Sequence, residues 1–327
     1  MQELSNCVTS YHGKNSFKVF DLKLHKLNET YIKFECEKSL AQELSDYFTF
    51  YVPNYQFTPA YKNRLWDGKI RLADLRSFTI YHGLIPYIEK FCKERNYKLE
   101  IDSDISTTEN FSLVEAKEFI SSLNLPYEVR DYQLKAFVNS IRNKRMLLLS
   151  PTASGKSLII YLIVRYLIQT FKKGLLIVPN VSLVAQMTKD FSEYSANDDF
   201  DVSENVHQIY QGKDKVSKNA KLYVSTWQSI YNLPKEYFEQ FDFVIGDEAH
   251  SFKAKSLTTI MTGCFNSKYR IGTTGTLDGT QTHRLVLEGL FGPVFQPTTT
   301  SELIEKGQLA DFNIKCLILK YPEQIVR

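Results

Sequence analysis

Apolar positions along the chain follow two rhythms, and the change between them falls near residue 126. Ahead of it, FKVFDLKL (17–24) and YIKFECE (31–37) alternate as half-buried strands do, and SLAQELSDYFTFY (39–51) carries apolar residues at helical spacing behind a Ser39 cap. YQFTP (55–59) and GKIRLADL (68–75) read as two more strands flanking a basic turn. GLIPYIEKFCKERN (83–96) reads as a helix and YKLEID (97–102) as a closing strand. The pattern predicts a small α+β domain over residues 17–102, preceded by an extension of residues 1–16. SDISTTEN (103–110) is polar and loop-like, and SLVEAKEFISSLNL (112–125) reads as a helix, so residues 103–125 are expected to link two domains.

From residue 126 short apolar runs alternate with longer helical ones. MLLLS, GLLIVP, VHQIY, KLYVST, FDFVIG and YRIGTT are strand-length, and helical stretches over 156–171 and 182–194 lie between them. Strands that are apolar on both faces, separated by helices, indicate a parallel sheet covered on both sides. This predicts an α/β domain over residues 126–310, with 311–327 as the start of a connection onward.

Composition narrows the class. A chain of 327 residues can bury two cores, and 43% apolar with 24% charged residues suits a soluble globular protein. A net charge of +3 is too small to argue for nucleic acid, so that case must rest on local clusters. The five cysteines (Cys7, Cys36, Cys92, Cys264, Cys316) form no C-x-x-C pair and the six histidines are scattered, which argues for free thiols and against zinc. No apolar run resembles a signal peptide or approaches the ~18 residues of a membrane span. A soluble, intracellular and monomeric protein is expected, with no membrane partner.

The stretch SPTASGKSL (150–158) carries the first chemistry. Pro151, Thr152, Ala153, Ser154, Gly155, Lys156 and Ser157 follow an apolar strand and open a helix, the setting of a phosphate loop. There a glycine lets backbone N–H groups reach phosphates, a lysine holds the β and γ oxygens, and a hydroxyl ligates Mg²⁺. Position 150 has a serine where the longer form of the motif has glycine, and Gly-Lys-Ser at a helix start can also arise by chance. FDFVIGDEAH supplies the second part: Asp247 and Glu248 stand at the carboxyl end of a buried strand, where parallel sheets place ligands. Paired carboxylates there suit Mg²⁺ binding and orientation of an attacking water. Together the two motifs predict a Mg·ATP site.

With these residues in order, the sequence resembles the superfamily 2 helicases of the DEAH type, whose phosphate loop is commonly P-T-G-x-G-K-[ST]; Ala153 replaces one glycine. The resemblance implies a RecA-like domain in which Lys156 contacts phosphates, Ser157 and Asp247 hold the metal, and Glu248 activates water. RDYQLKA, with Arg130, Tyr132 and Gln133, resembles the adenine-reading segment. VPNVSLVAQ (Pro179, Asn180, Gln186) and VSTWQS (Thr226, Trp227, Gln228) resemble segments that grip a nucleic-acid backbone. His250 and TGT (Thr274, Gly275, Thr276) stand where the family couples nucleotide state to that surface. NRLWDGKIRL (63–72) and FTFYVPNYQFTPAY (48–61) resemble the amino-terminal domain of a phage family of helicases that remodel branched DNA.

The basic turn YKNRLWDGKIR places Lys62, Arg64, Lys69 and Arg71 around Tyr61 and Trp66. Cations neutralise phosphates and aromatic faces stack on bases, so the turn suits single strands or a fork. The other reading is a surface hairpin in which Trp66 is a packing anchor and Asp67-Gly68 a simple turn. No Q-x-x-G-R run is present. The resemblance therefore implies the front part of a helicase acting on branched, forked or single-stranded DNA, nearly inactive without a second RecA-like domain. An ATP- and DNA-binding module without motor activity, or the motor portion of a restriction or repair complex, are the alternatives.

Overall fold

The computed structural model describes residues 20–105, 108–210, 212–252, 254–277, 281–310 and 317. Residues 1–19 and most of 311–327, including Cys7 and Cys316, lie outside the described residues. Strands β1 (Leu22–Lys26), β2 (Tyr31–Cys36), β5 (Ala73–Asp74), β6 (Thr79–Tyr81) and β7 (Leu99–Ile101) form one sheet in the order β5-β6-β2-β1-β7. Its pairings are antiparallel except β1 with β7. Helices α1 (Lys38–Tyr47) and α3 (Ile85–Arg95) bury Leu40, Ala41, Leu44 and Ile88, Phe91, Cys92 into the core. β3 (Thr49–Tyr51) and β4 (Lys69–Arg71) make a separate two-stranded ribbon, and the chain between them holds the basic turn.

Two local expectations are corrected. YQFTP is not a strand: Tyr55–Phe57 is a 3-10 turn leading into the short helix α2 (Pro59–Lys62). Thr58 caps that helix by accepting from the Tyr61 N–H, and Pro59 pre-sets its first turn, which outweighs a brief apolar alternation. Ser39 does not cap α1, because the helix starts two residues earlier than that cap would set it and Glu37 is its N-cap.

Strands β8 (Arg145–Leu149), β9 (Gly174–Val178), β10 (Val206–Ile209), β11 (Leu222–Thr226), β12 (Phe243–Gly246), β13 (Tyr269–Thr274) and β14 (Val294–Phe295) build the larger sheet. Its order is β10-β11-β9-β12-β13-β8-β14 and every pairing is parallel. The apolar runs become strands because helices cover both faces. Among these, α5 (Asp131–Asn143), α6 (Lys156–Thr170) and α7 (Val181–Tyr194) pack on one another. Leu158 to Val164 of α6 are all buried, as in a helix enclosed on nearly every side. No described helix is long and apolar enough to cross a membrane.

The segment expected to link the domains packs on the larger one. Helix α4 (Leu113–Ser122) has a Ser112/Glu115 capping box, and Phe111, Ala116 and Leu123 are buried with Phe137 of α5. The Arg142 guanidinium donates to the Phe111 carbonyl at 2.6 Å. The amino-terminal unit is likewise seated on the sheet. Arg145 bonds the Glu29 carboxylate at 3.0 Å, and Thr30 donates to the Met261 carbonyl at 3.2 Å. Gly83 makes this contact possible, since an added Cβ would lie 2.0 Å from the Glu288 carbonyl oxygen.

Candidate nucleotide site

The phosphate loop leaves β8 at Ser150, whose N–H still pairs with the Thr274 carbonyl at 2.9 Å. It then turns through two left-handed residues, Ala153 (φ 63°) and Gly155 (φ 73°). For alanine that conformation costs roughly 1–2 kcal/mol, so the loop stores strain where a glycine would relax it. At Gly155 the absence of a side chain is also spatial: a Cβ would lie 2.5 Å from the Gln133 amide nitrogen.

The first turn of α5 holds this loop. Tyr132 donates its hydroxyl to the Ser154 carbonyl at 2.8 Å, and the Gln133 Nε2 donates to the same oxygen at 3.1 Å. Gln133 Oε1 accepts from the Arg130 N–H, and the Arg130 guanidinium donates to the Tyr132 hydroxyl. Tyr132 and Gln133 are buried and Arg130 is exposed. The segment expected to read adenine thus clamps the loop; both ends of the Gln133 amide already have a protein partner.

Two carboxylates face the loop from the end of β12. Asp247 is 6% exposed, and its Oδ1 accepts from Thr273 Oγ1 at 2.6 Å and from the Glu248 N–H at 3.0 Å. Burial pushes its pKa up, since the charged form is poorly solvated and Glu248 is a like charge beside it. Glu248 has a left-handed backbone (φ 48°) that aims its side chain across the strand ends. Its Oε1 lies 2.8 Å from the Lys156 ammonium, and its Oε2 lies 3.4 Å from both the Gly275 N–H and His250 Nδ1. The Thr274 hydroxyl gives its single proton to the Thr276 carbonyl at 2.6 Å, so the His250 Nδ1 at 2.6 Å must be the donor to it. Lys156, Glu248, His250, Thr274, Gly275 and Thr276 therefore form one connected set.

Ser157 stands apart from it. Its hydroxyl bonds Tyr194 OH at 2.8 Å, across to α7. Beside it a cavity of about 680 Å³ is lined by Tyr127, Arg130, Gln133, Ala153, Gly155 and Tyr194. Tyr127 and Tyr194 escape sequence reading: one is an exposed loop residue, the other ends an apolar helical stripe. Among the described residues no three His, Cys, Asp or Glu side chains converge as a metal cage. Mg²⁺ needs no cage here, because it is usually held by one or two protein oxygens together with substrate phosphates. The buried Asp247 carboxylate, a hard oxygen donor kept next to a second carboxylate, fits that ion.

Candidate nucleic-acid residues divide sharply. Asn180, Gln186 and Gln228 are exposed; Asn180 caps α7 through Leu183 N–H, and Gln228 donates to the Pro179 carbonyl at 3.3 Å. Trp227 is half-buried against Tyr231. Thr226 is 3% exposed with its hydroxyl on Ser229, at the end of the fully buried strand β11. In the basic turn, the Trp66 indole N–H donates to the Lys69 carbonyl and Arg71 pairs with Asp67 at 2.5 Å. Lys69 lies over the Tyr51 ring at 4.9 Å, and Arg64 is exposed. Leu65 and Phe57 are 81% and 68% exposed in the same segment as these cations.

A parallel sheet with a phosphate loop after one strand and a paired carboxylate after another defines the RecA-like ATP-binding domain of the helicase class. Residues 126–279 match the family described as type III restriction enzyme, res subunit, and residues 21–102 the family described as DNA helicase UvsW, N-terminal. The chain is 34% identical over 310 residues to the ATP-dependent DNA helicase uvsW of Enterobacteria phage T4, covering 93% of this chain and 61% of that protein. A crystal structure of the UvsW helicase from bacteriophage T4 matches with a TM-score of 0.77 at 34% identity, over 85% of this chain and 100% of the crystallised one. The DNA 3'-5' translocase XPB2 of Sulfurisphaera tokodaii is 25% identical over 272 residues, covering 83% of this chain and 54% of that protein. The chain thus spans 61% and 54% of the length of these two relatives. It belongs to the superfamily 2 helicases and, within them, to the UvsW family.

Proposed function

We propose that this chain is the ATP-binding part of a DNA helicase or translocase acting on branched or forked DNA. The observation that carries the reading is Glu248, held at one oxygen by Lys156 and at the other by the His250–Gly275 side of the site. Mg²⁺ held by Asp247 and Ser157 would neutralise charge on the β and γ phosphates. Lys156 then turns from Glu248 to the phosphate oxygens, which leaves the Glu248 carboxylate free to orient water and accept its proton. Because the other oxygen of Glu248 lies against His250 and Gly275, a turn of this carboxylate toward the water would reach the Thr274–Thr276 segment. The DNA face follows from Asn180, Gln186 and Gln228 together with the exposed cations of the amino-terminal turn.

Hydrolysis of this kind also needs a positive charge against the γ-phosphate as the transition state spreads charge over its oxygens. Arg270 spends its guanidinium on the Leu290, Cys264 and Met261 carbonyls, and Arg284 is held by Glu288. A second RecA-like domain is the proposed source. The direct test is binding of a fluorescent ATP analogue with Mg²⁺: Lys156→Ala should weaken it strongly, whereas Glu248→Gln should not. Equal affinity of wild type and Lys156→Ala would remove the phosphate assignment.

A further inference from the structure

Ser157 is the one metal-site residue whose side chain is held by an element outside the phosphate loop and the strand ends. Its hydroxyl meets Tyr194 OH at 2.8 Å, across to α7. Tyr194 is not a loose partner. Its ring lies 5.3 Å from Tyr161 and 6.1 Å from Tyr127, both in edge-to-face contact. Tyr161 is fully buried, and Phe191 of α7 packs on it at 5.1 Å. An aromatic cluster thus fixes where the phenol sits, and the phenol fixes where the serine hydroxyl points.

A serine hydroxyl has one proton and two lone pairs. To ligate a cation it must present a lone pair, so its proton needs an acceptor on the other side. Outer partners of this kind commonly change metal affinity 10–100-fold when removed. The Tyr194 oxygen, 2.8 Å away, is placed to accept that proton.

We propose that Tyr194 is a positioning residue for Ser157: it holds the hydroxyl from α7 so that a lone pair stays available to Mg²⁺ in the site with Asp247. The inference rests on reading Ser157 as a metal ligand. Nothing in the residue spacing announces it, since the two residues are 37 positions apart.

The test is an Mg²⁺ titration of fluorescent ATP analogue binding by the 327-residue chain, with binding in EDTA and thermal midpoints measured alongside. Tyr194→Phe keeps the ring and deletes the hydroxyl. It should raise the Mg²⁺ concentration for half-maximal binding about 10-fold, a far larger change than in EDTA, where only its contact with the cavity is lost, and with the thermal midpoint unchanged. In a Ser157→Ala background the same substitution should add nothing. A wild-type Mg²⁺ requirement in Tyr194→Phe overturns the proposal, as does an equal shift in the Ser157→Ala background, which would indicate a packing effect. Should Ser157→Ala alone leave the Mg²⁺ requirement unchanged, the metal-ligand reading fails first and carries this inference with it.

Discussion

The nucleotide site and the amino-terminal turn both carry charged side chains near aromatic ones, yet they are built in opposite ways. In the site every key group is held by a named partner: Lys156 by Glu248, Asp247 by Thr273, His250 by Thr274, and the loop carbonyl of Ser154 by Tyr132 and Gln133. In the turn the polar groups with partners, Trp66 and Arg71, bond their own hairpin, while Leu65 and Phe57 stand in solvent. Phosphoryl chemistry needs groups fixed to a fraction of an ångström, and that requirement writes tight motifs. Contact with a phosphate backbone needs only accessible charge, and it leaves a composition rather than a pattern.

The largest expected effect probes whether the site is complete as a catalyst. Arg270 and Arg284 are bound elsewhere, so the 327-residue chain should hydrolyse ATP near background. Joining it to a second RecA-like domain should raise DNA-stimulated turnover by roughly the 10³–10⁵-fold attributed to an arginine finger. Robust DNA-stimulated turnover by the isolated chain would falsify this, and would mean that the positive charge comes from within these residues.

Next in size is Glu248, the proposed water-activating carboxylate. Measured in the extended protein, Glu248→Gln should lower the hydrolysis rate about 10²–10⁴-fold. Nucleotide binding should stay level or tighten, because the substitution removes the carboxylate that competes with phosphates for Lys156. An unchanged rate would send the search for the base elsewhere among the strand ends.

The turn should respond to salt instead of chemistry. Lys62→Ala combined with Arg64→Ala, both exposed, should weaken DNA binding and flatten its salt dependence by about two units of slope. Arg71→Ala should flatten it less, since Asp67 already neutralises that guanidinium. Indistinguishable salt slopes in the double variant and the wild type would leave the turn as a packing hairpin.

This contrast also explains what could be read from the sequence. The strand–loop–helix around Lys156 and the strand ending at Asp247 were legible because buried strands are apolar on both faces and the loop's backbone demands Gly155. The parallel sheet followed from the same runs. Less legible were features decided by packing at a distance. Thr226 stands beside Trp227 in a backbone-gripping motif, but the strand that carries it, although second from one edge, is wholly covered. YQFTP alternates like a strand, yet a capping threonine and a proline settle it as helix. That Gln133 also clamps the phosphate loop depends on α5 packing against it. Tyr194 meets Ser157 only because α6 and α7 pack together.

The smallest effect tests whether the site trades stability for function where the turn does not. Burial raises the Asp247 pKa above its unfolded value, so the folded chain binds that proton more tightly than the unfolded chain does. The associated stability is present at acidic pH and is lost as pH rises through the folded pKa, leaving a buried charge at neutral pH. Asp247→Asn keeps an oxygen to accept from Thr273 and Glu248 N–H while deleting the charge. At pH 7 it should raise the thermal midpoint slightly, and should abolish Mg²⁺-dependent ATP binding. The gain should shrink as the buffer is made more acidic, because the wild-type carboxyl then becomes neutral as well. Lys62→Ala and Arg64→Ala should leave the midpoint flat over the same pH range. A lower midpoint for Asp247→Asn at pH 7 would show that Thr273, Lys156 and the Glu248 N–H more than offset the burial of that charge, and the carboxylate would then be a structural asset rather than a cost carried for the metal.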